Sequence, residues 1–178
     1  AYEVLSGDWS SDVCASDLEA VLGEARVAYL AENGFTVDAY THPTTKGSLF
    51  GIAFSVPNPP SHQRAIRLHD LLHVATGYGT DHAGEAEISA WQARRGFTNA
   101  GAYVAAIVTF NLVVGALVAP GRLFAGFSRA GRGASIFDAR YADVNMLDLT
   151  VGELRAMLGI PEAGLAEGTR GRHALAPL

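Results

Sequence analysis

The sequence is poor in cysteine and in positive charge, and both shortages narrow what the chain can do. Cys14 is the only cysteine among the 178 residues, so no disulfide can form within the chain and no cysteine-based metal site is available. The formal net charge is −5 at pH 7, which argues against nucleic acid as a partner. No Gly-x-Ser-x-Gly sequence occurs, so nothing supports a serine hydrolase of the nucleophile-elbow type.

Repeats and a recognisable secretory signal are also missing from the sequence. Hydrophobic residues make up 49% of the chain, which excludes disorder throughout. A chain of this length fits a single domain and can bury a sizeable core. We therefore expect a folded protein that is cytoplasmic or peripheral on the cytoplasmic face of the membrane.

The start of the chain differs in character from the rest. Residues 7–18 read Gly-Asp-Trp-Ser-Ser-Asp-Val-Cys-Ala-Ser-Asp-Leu and resemble an in-frame translation of a common sequencing adapter, with one substitution at Ala15. The alternative is an ordinary polar leader with a helix cap at Ser16 or Asp17. We expect residues 1–18 to be a non-native leader, and such segments are excluded from fold reasoning.

Hydrophobic periodicity predicts an all-α fold, a mainly helical single domain, for residues 19–161. Residues 46–56 alternate between apolar and polar or small side chains instead, which is typical of a small β-hairpin. Ser61, Asp81 and Thr150 have the positions and chemistry of helix N-caps. Residues 162–178 are rich in Gly, Ala and polar side chains, so we expect a flexible tail there.

The most informative pattern is His69-Asp70-Leu-Leu-His73, with Glu85 twelve positions after the second histidine. Histidines at i and i+4 project from one side of a helix, and Asp70 lies about 100° from His69 and about 60° from His73. A second helix that follows a short turn would bring Glu85 back toward His73. A bare histidine pair is more often part of a core, but the two acids favour a metal site because apolar surroundings do not accept unpaired carboxylates.

These donors predict an open metal site. Imidazole and carboxylate ligands bind a divalent cation, and we expect zinc, with iron, manganese and magnesium as alternatives. Carboxylates in place of thiolates usually leave one position for water or substrate. The predicted metal-binding and catalytic residues are therefore His69, Asp70, His73 and Glu85. Glu87 projects about 200° from Glu85 on the same helix and cannot face the same ion.

This motif and its flanking glycines resemble those of a known protein family. The family's pattern is His-Asp-x-x-His, eleven intervening residues and Glu, with one glycine four residues after the second His and another just before the Glu. This chain matches every one of these positions, with His69, Asp70, His73, Gly77, Gly84 and Glu85. The family is the Coq-four family of ubiquinone (coenzyme Q) biosynthesis proteins. The segment 147–161 is similar to that family's closing segment, and the resemblance covers about residues 19–161.

The resemblance implies decarboxylation of the ring of a polyprenylated hydroxybenzoate, coupled in some descriptions to hydroxylation. It implies a polyprenylated aromatic or isoprenoid lipid as ligand, association with a membrane surface, and a homodimer or a biosynthetic complex. One alternative is a non-catalytic prenyl-lipid-binding scaffold of such a complex. Another is a phosphohydrolase of the HD type, which needs a further histidine and a distant aspartate. His42 or His62 could be the further histidine and Asp138 or Asp143 the distant aspartate, but their spacing in the sequence fits that class of enzyme poorly.

Residues 100–119 form a long apolar stretch that Thr109 and Asn111 interrupt. We expect a buried helix rather than a membrane span. We also predict that its residues from Tyr103 to Leu117 wall a hydrophobic channel that ends at the metal site. The next segment, residues 121–133, combines arginines with Leu and Phe. It predicts a surface helix, or alternatively a patch that binds an anionic membrane, a phosphate or a carboxylate.

Overall fold

The computed structural model describes residues 18–49 and 52–166, so residues 1–17 of the predicted leader and 167–178 of the predicted tail lie outside it. Six α-helices and one antiparallel hairpin make up the described part of the chain. In chain order the elements are α1 (Leu22–Glu32), β1 (Thr44–Leu49), β2 (Ile52–Pro57), α2 (Pro60–Thr76), α3 (His82–Arg95), α4 (Ala102–Val118), α5 (Pro120–Arg129) and α6 (Val151–Leu158). The predicted all-α fold with one small hairpin is confirmed.

The hairpin lies between α1 and α2 in the chain. Its strands pair from Thr44 opposite Pro57 to Leu49 opposite Ile52. The buried side chain of Asn58 fixes the base of the hairpin, since its amide nitrogen donates to the carbonyls of Tyr40 and His42 at 3.1 and 2.8 Å. Asn58 thus joins the residues before β1 to the short link between β2 and α2.

The ends of the helices follow their local sequence. α2 ends at Gly77, which has a φ of 76° in the left-handed region and donates its amide to the carbonyl of His73. The Asp81 side chain caps α3 by accepting from the Gly84 amide at 2.7 Å. Thr150 and Glu153 form a reciprocal capping box on α6. The caps predicted at Asp81 and Thr150 are confirmed. The cap predicted at Ser61 is wrong, because α2 begins at Pro60, where proline suits the first turn, and its N-cap position is Pro59.

The main core lies between α1, α2, α3 and α6. Its large buried side chains include Leu22, Leu71, Leu72, Ile88, Trp91 and Leu154. Buried Arg155 ties α6 to the end of α2, because its Nε donates to the carbonyl of Ala75 at 2.8 Å. The backbone amides of Leu165 and Ala166 both donate to the Thr76 carbonyl. The first residues of the predicted flexible tail are thus held against α2.

The prediction that the apolar stretch forms a wholly buried helix is wrong. α4 packs against α3 and α5, but the opposite face carries Phe110, Val113 and Leu117 with 46, 56 and 78% of their surface exposed. A helix that is apolar on all sides has no periodicity to show which face is covered, so the sequence could not identify this face. Among the described helices, none combines the length and hydropathy that a membrane crossing requires.

Candidate metal centre

The turn between α2 and α3 brings the motif together. Gly84 lies in the first turn of α3, and a Cβ atom there would be 2.0 Å from the carbonyl oxygen of Gly79. Only glycine allows this close approach of the loop. The loop folds back against α3 and places the next residue, Glu85, opposite the histidines of α2.

Three side chains converge on one point. The Nε2 atoms of His69 and His73 are 3.0 Å apart. One Glu85 carboxylate oxygen lies 3.3 Å from His69 Nε2, and the other lies 3.2 Å from His73 Nε2. The contributing atoms all lie within 4.8 Å of one another. The structure therefore brings together three of the four predicted ligands.

The orientation of His73 suits a metal ligand. Its Nδ1 is 3.0 Å from the carbonyl oxygen of Tyr78, and because a carbonyl can only accept, Nδ1 must donate. In the neutral ring this leaves a lone pair on Nε2, which faces His69 and Glu85. The Tyr29 ring stacks on the same imidazole, with centroids 5.5 Å apart and planes 20° apart.

The donor set fits a divalent cation with one open position. The Nε2 atoms of the two histidines are 3.0 Å apart, close to the ~3.3 Å edge of a tetrahedron with zinc–nitrogen bonds of about 2.0–2.1 Å, and each has a different Glu85 oxygen within 3.3 Å. The His73 side chain is 1% exposed, whereas those of His69 and Glu85 are 23% and 27% exposed. The cluster is therefore closed on one side and open to solvent on the other.

Electrostatics also favours positive charge at this point. Burial acts to raise the pKa of Glu85, but the charges of His69 and His73 and their hydrogen bonds hold it well below its usual range. Burial acts to lower the pKa of His69, but the Glu85 and Asp70 carboxylates outweigh burial and raise it. Protons and a cation would thus compete for the same lone pairs.

Asp70, the fourth predicted ligand, lies outside the three-residue cluster. Its carboxylate accepts a hydrogen bond from the hydroxyl of Tyr40. Burial raises the pKa of Asp70, against the lowering effect of His69 and of the Tyr40 hydrogen bond. Tyr40 comes from the 3₁₀ turn Val37–Tyr40, so a partner distant in sequence sets the direction of this side chain.

Two tyrosines that the sequence did not point to, Tyr29 and Tyr40, contact residues of the metal-site motif. Tyr40 holds Asp70, and the guanidinium groups of Arg26 and Arg67 lie 5.3 and 5.6 Å from its ring centre. Tyr29 stacks on His73. In the sequence Tyr29 belongs only to the helical stripe of α1, where an aromatic residue is usually part of a core, so no local signal distinguished it.

The arginines of α5 serve a different carboxylate. Glu87 is fully buried, with Arg122 at 2.6 Å and Arg129 at 3.8 Å from its oxygens. As predicted, Glu87 faces away from the side of α3 that carries Glu85. Two members of the segment 121–133 therefore bind a carboxylate that belongs to the protein itself.

The residues that an HD-type phosphohydrolase would need do not join the cluster. It contains neither histidine candidate, His42 or His62, and neither aspartate candidate, Asp138 or Asp143. Asp138 instead pairs with Arg140, whose Nε is 3.1 Å away. Within the described chain, nothing extends the three-residue cluster toward that class of site.

A cavity of about 350 Å³ opens elsewhere, between the start of α2 and residues 136–142. Its walls include Arg64, Leu68, Asn99 and Phe137. Neither the three clustered residues nor the apolar helix α4 lines this cavity, so it is not the channel predicted from the sequence.

Comparisons of the chain with models of protein families, with curated proteins and with solved structures gave no match. Two observations therefore bear on function: the chemistry of the cluster, and the resemblance of its sequence motif to that of the Coq-four family.

Proposed function

We propose that the chain is a metal-dependent decarboxylase that removes the ring carboxylate of a polyprenylated hydroxybenzoate in ubiquinone or related prenylquinone biosynthesis. The observation that carries this proposal is the convergence of His69, His73 and Glu85 with an open side. The match of the surrounding motif to the Coq-four pattern supports the choice of substrate. The three clustered residues would hold the cation, for which the donor set favours zinc.

The residues around the cluster have separate roles in this reaction. A bound divalent cation would supply the positive charge that stabilises the ring as carbon dioxide leaves. The Tyr78 carbonyl fixes the His73 ring so that Nε2 stays aimed at the site. Asp70, held by Tyr40, adds negative charge beside His69 without occupying a ligand position. The exposed side of His69 and Glu85 leaves room for the aromatic ring.

Release of labelled carbon dioxide tests the decarboxylase proposal. Zinc-loaded, iron-loaded and metal-free protein are given farnesylated 4-hydroxybenzoate with a ¹³C-carboxyl group, with and without oxygen. We expect metal-dependent ¹³CO₂, and the ring product shows whether hydrogen or hydroxyl replaces the carboxylate. Iron is included because zinc has no redox chemistry. Tight binding without ¹³CO₂ under every condition would favour the scaffold alternative.

We propose that the protein binds an anionic membrane surface, and exposed apolar side chains of α4 and α5 support this partner. Phe124 of α5 is 70% exposed, in addition to the uncovered side chains of α4. Residues 88–137 contain five arginines and no Asp or Glu. Arg122 and Arg129 pair with Glu87. Arg95 donates to backbone carbonyls, so Arg94 and Arg132 supply the positive charge for this surface. Apolar side chains with surrounding positive charge are typical of proteins that lie on anionic lipid, where a polyprenylated substrate would reside. The protein would then be peripheral on the membrane.

Vesicle binding tests this partner. We expect binding to vesicles with about one third anionic lipid, weaker binding at high salt, and loss of binding in Leu117→Gln, Phe124→Gln. Ile52→Gln is the matched control, because Ile52 is equally exposed but lies on the hairpin. Vesicle binding that Leu117→Gln, Phe124→Gln leaves unchanged would contradict the assignment. A dimer that buries this face and binds no vesicles would assign it to a second copy instead.

A further inference from the structure

Helix α1 presents two buried hydrogen-bonding groups that have no partner among the described residues. They are the hydroxyl of Tyr29 and the Nε of Arg26. The two residues are three positions apart on one helix, so they are neighbours on its surface. Eleven buried side-chain atoms lack a hydrogen-bond partner among the described residues. These two differ from the others in sharing a face of α1 with the ring that stacks on His73, so they are available to a group bound there.

The Tyr29 ring lies beside the metal centre. It stacks on His73, and burial, followed by the charges of Glu85, Asp70 and Tyr40, raises the pKa of its hydroxyl well above the usual value. The hydroxyl of this ring has no hydrogen-bond partner among the described residues, and a phenol can donate a hydrogen bond to an anionic oxygen.

Arg26 brings positive charge to the same region. Its guanidinium lies 5.3 Å from the centre of the Tyr40 ring, and the Tyr40 hydroxyl donates to Asp70 next to His69. A divalent cation would be balanced by the carboxylates of Glu85 and of Asp70 beside His69, so the guanidinium of Arg26 would give the pocket its net positive charge. The pocket would then be complementary to an anion.

We propose that Tyr29 and Arg26 are positioning residues that bind the carboxylate or phenolate oxygen of an aromatic acid at the metal centre. This inference depends on the proposed function, and it assigns the recognition of the substrate's charged end to α1. Because the chain would recognise the aromatic acid itself, a small acid without a prenyl tail should bind on its own.

Calorimetry of the zinc-loaded chain with 4-hydroxybenzoate as the probe tests the inference. We expect Tyr29→Phe to weaken binding about 3- to 10-fold, the usual range for one lost hydrogen bond. Arg26→Gln should weaken it by about 10-fold or more, since this bond is charge-assisted. Both variants should keep the parent's zinc content. Tyr103→Phe and Arg140→Gln are the matched controls, because they remove a hydroxyl that donates to the Pro57 carbonyl and a guanidinium paired with Asp138.

Binding of a neutral analogue shows whether Arg26 and Tyr29 position the acid or only maintain the shape of the pocket. The amide 4-hydroxybenzamide should bind the parent more weakly than the acid, and Arg26→Gln should remove most of that difference. A general distortion of the pocket would weaken both probes equally and would overturn the inference. So would a Tyr29→Phe variant that binds the acid as tightly as the parent, or a zinc-loaded parent that binds no acid. If the parent binds no zinc, the proposed function fails together with this inference.

Discussion

Replacing His73 by alanine is the perturbation that tests the metal centre most severely. The change removes the Nε2 ligand, the Nδ1 donor to the Tyr78 carbonyl and the stacking partner of Tyr29. Loss of an outer-shell hydrogen bond alone typically lowers metal affinity about 10- to 100-fold. Loss of a ligand and its orienting bond together should therefore weaken zinc binding by more than about 100-fold.

The same change should also affect the metal-free protein. His73 is 1% exposed, and its removal leaves the Tyr78 carbonyl without this donor in a buried region. A buried polar group without a partner costs about 1–3 kcal/mol, so we expect a loss of that size in the free energy of unfolding. Urea denaturation with excess chelator isolates this loss from the effect of the metal.

The zinc affinity is measured by competition with a chromophoric chelator, and His62→Ala is the matched control. His62 is also a buried histidine on α2, but it lies outside the cluster. We expect His62→Ala to bind zinc as the parent does. If His73→Ala stays within threefold of the parent affinity, the three residues do not form the zinc site.

Three further outcomes follow from the packing and electrostatics around the site. Because the pKa of His69 is raised in the metal-free protein, zinc affinity should fall by roughly tenfold per unit as pH drops below that raised value; a flat titration between about pH 8 and pH 6 would contradict this. Gly84→Ala should lower the free energy of unfolding by about 1–3 kcal/mol and weaken zinc binding, because the new Cβ would meet the Gly79 carbonyl; an unchanged urea midpoint would refute the close approach. Glu87→Ala should lower the free energy of unfolding by about 3 kcal/mol, because it leaves Arg122 without its buried partner, while zinc affinity stays near that of the parent; a loss below about 1 kcal/mol would show that the pair is energetically unimportant.

The sequence predicted those parts of the site that local geometry determines. The i, i+4 spacing of His69 and His73 needs only a helix, and the position of Glu85 needs only a short turn between two helices. Asp70 could not be placed in this way, since its direction depends on Tyr40, thirty residues earlier in the chain. The role of Tyr29 likewise arises only when α1 packs against α2.

Some features of the fold depend on local sequence, and others depend on contacts between distant parts of the chain. Caps at Asp81 and Thr150 and the hairpin near residues 46–56 follow from short segments, and the structure confirms all three. The exposed face of α4 depends on which neighbours cover it, and a uniformly apolar helix gives no sign of that. Burial of such a helix is therefore a tertiary property that composition alone does not determine.

Anomalous diffraction from a zinc-soaked crystal would locate most directly the cation that we propose His69, His73 and Glu85 hold together. We expect one strong peak per chain, bonded to the Nε2 atoms of both histidines at about 2.0–2.1 Å and to a carboxylate oxygen of Glu85, with Asp70 still bonded to Tyr40. A zinc ion bound at other residues, or no peak between the histidines at saturating zinc, would contradict this central proposal.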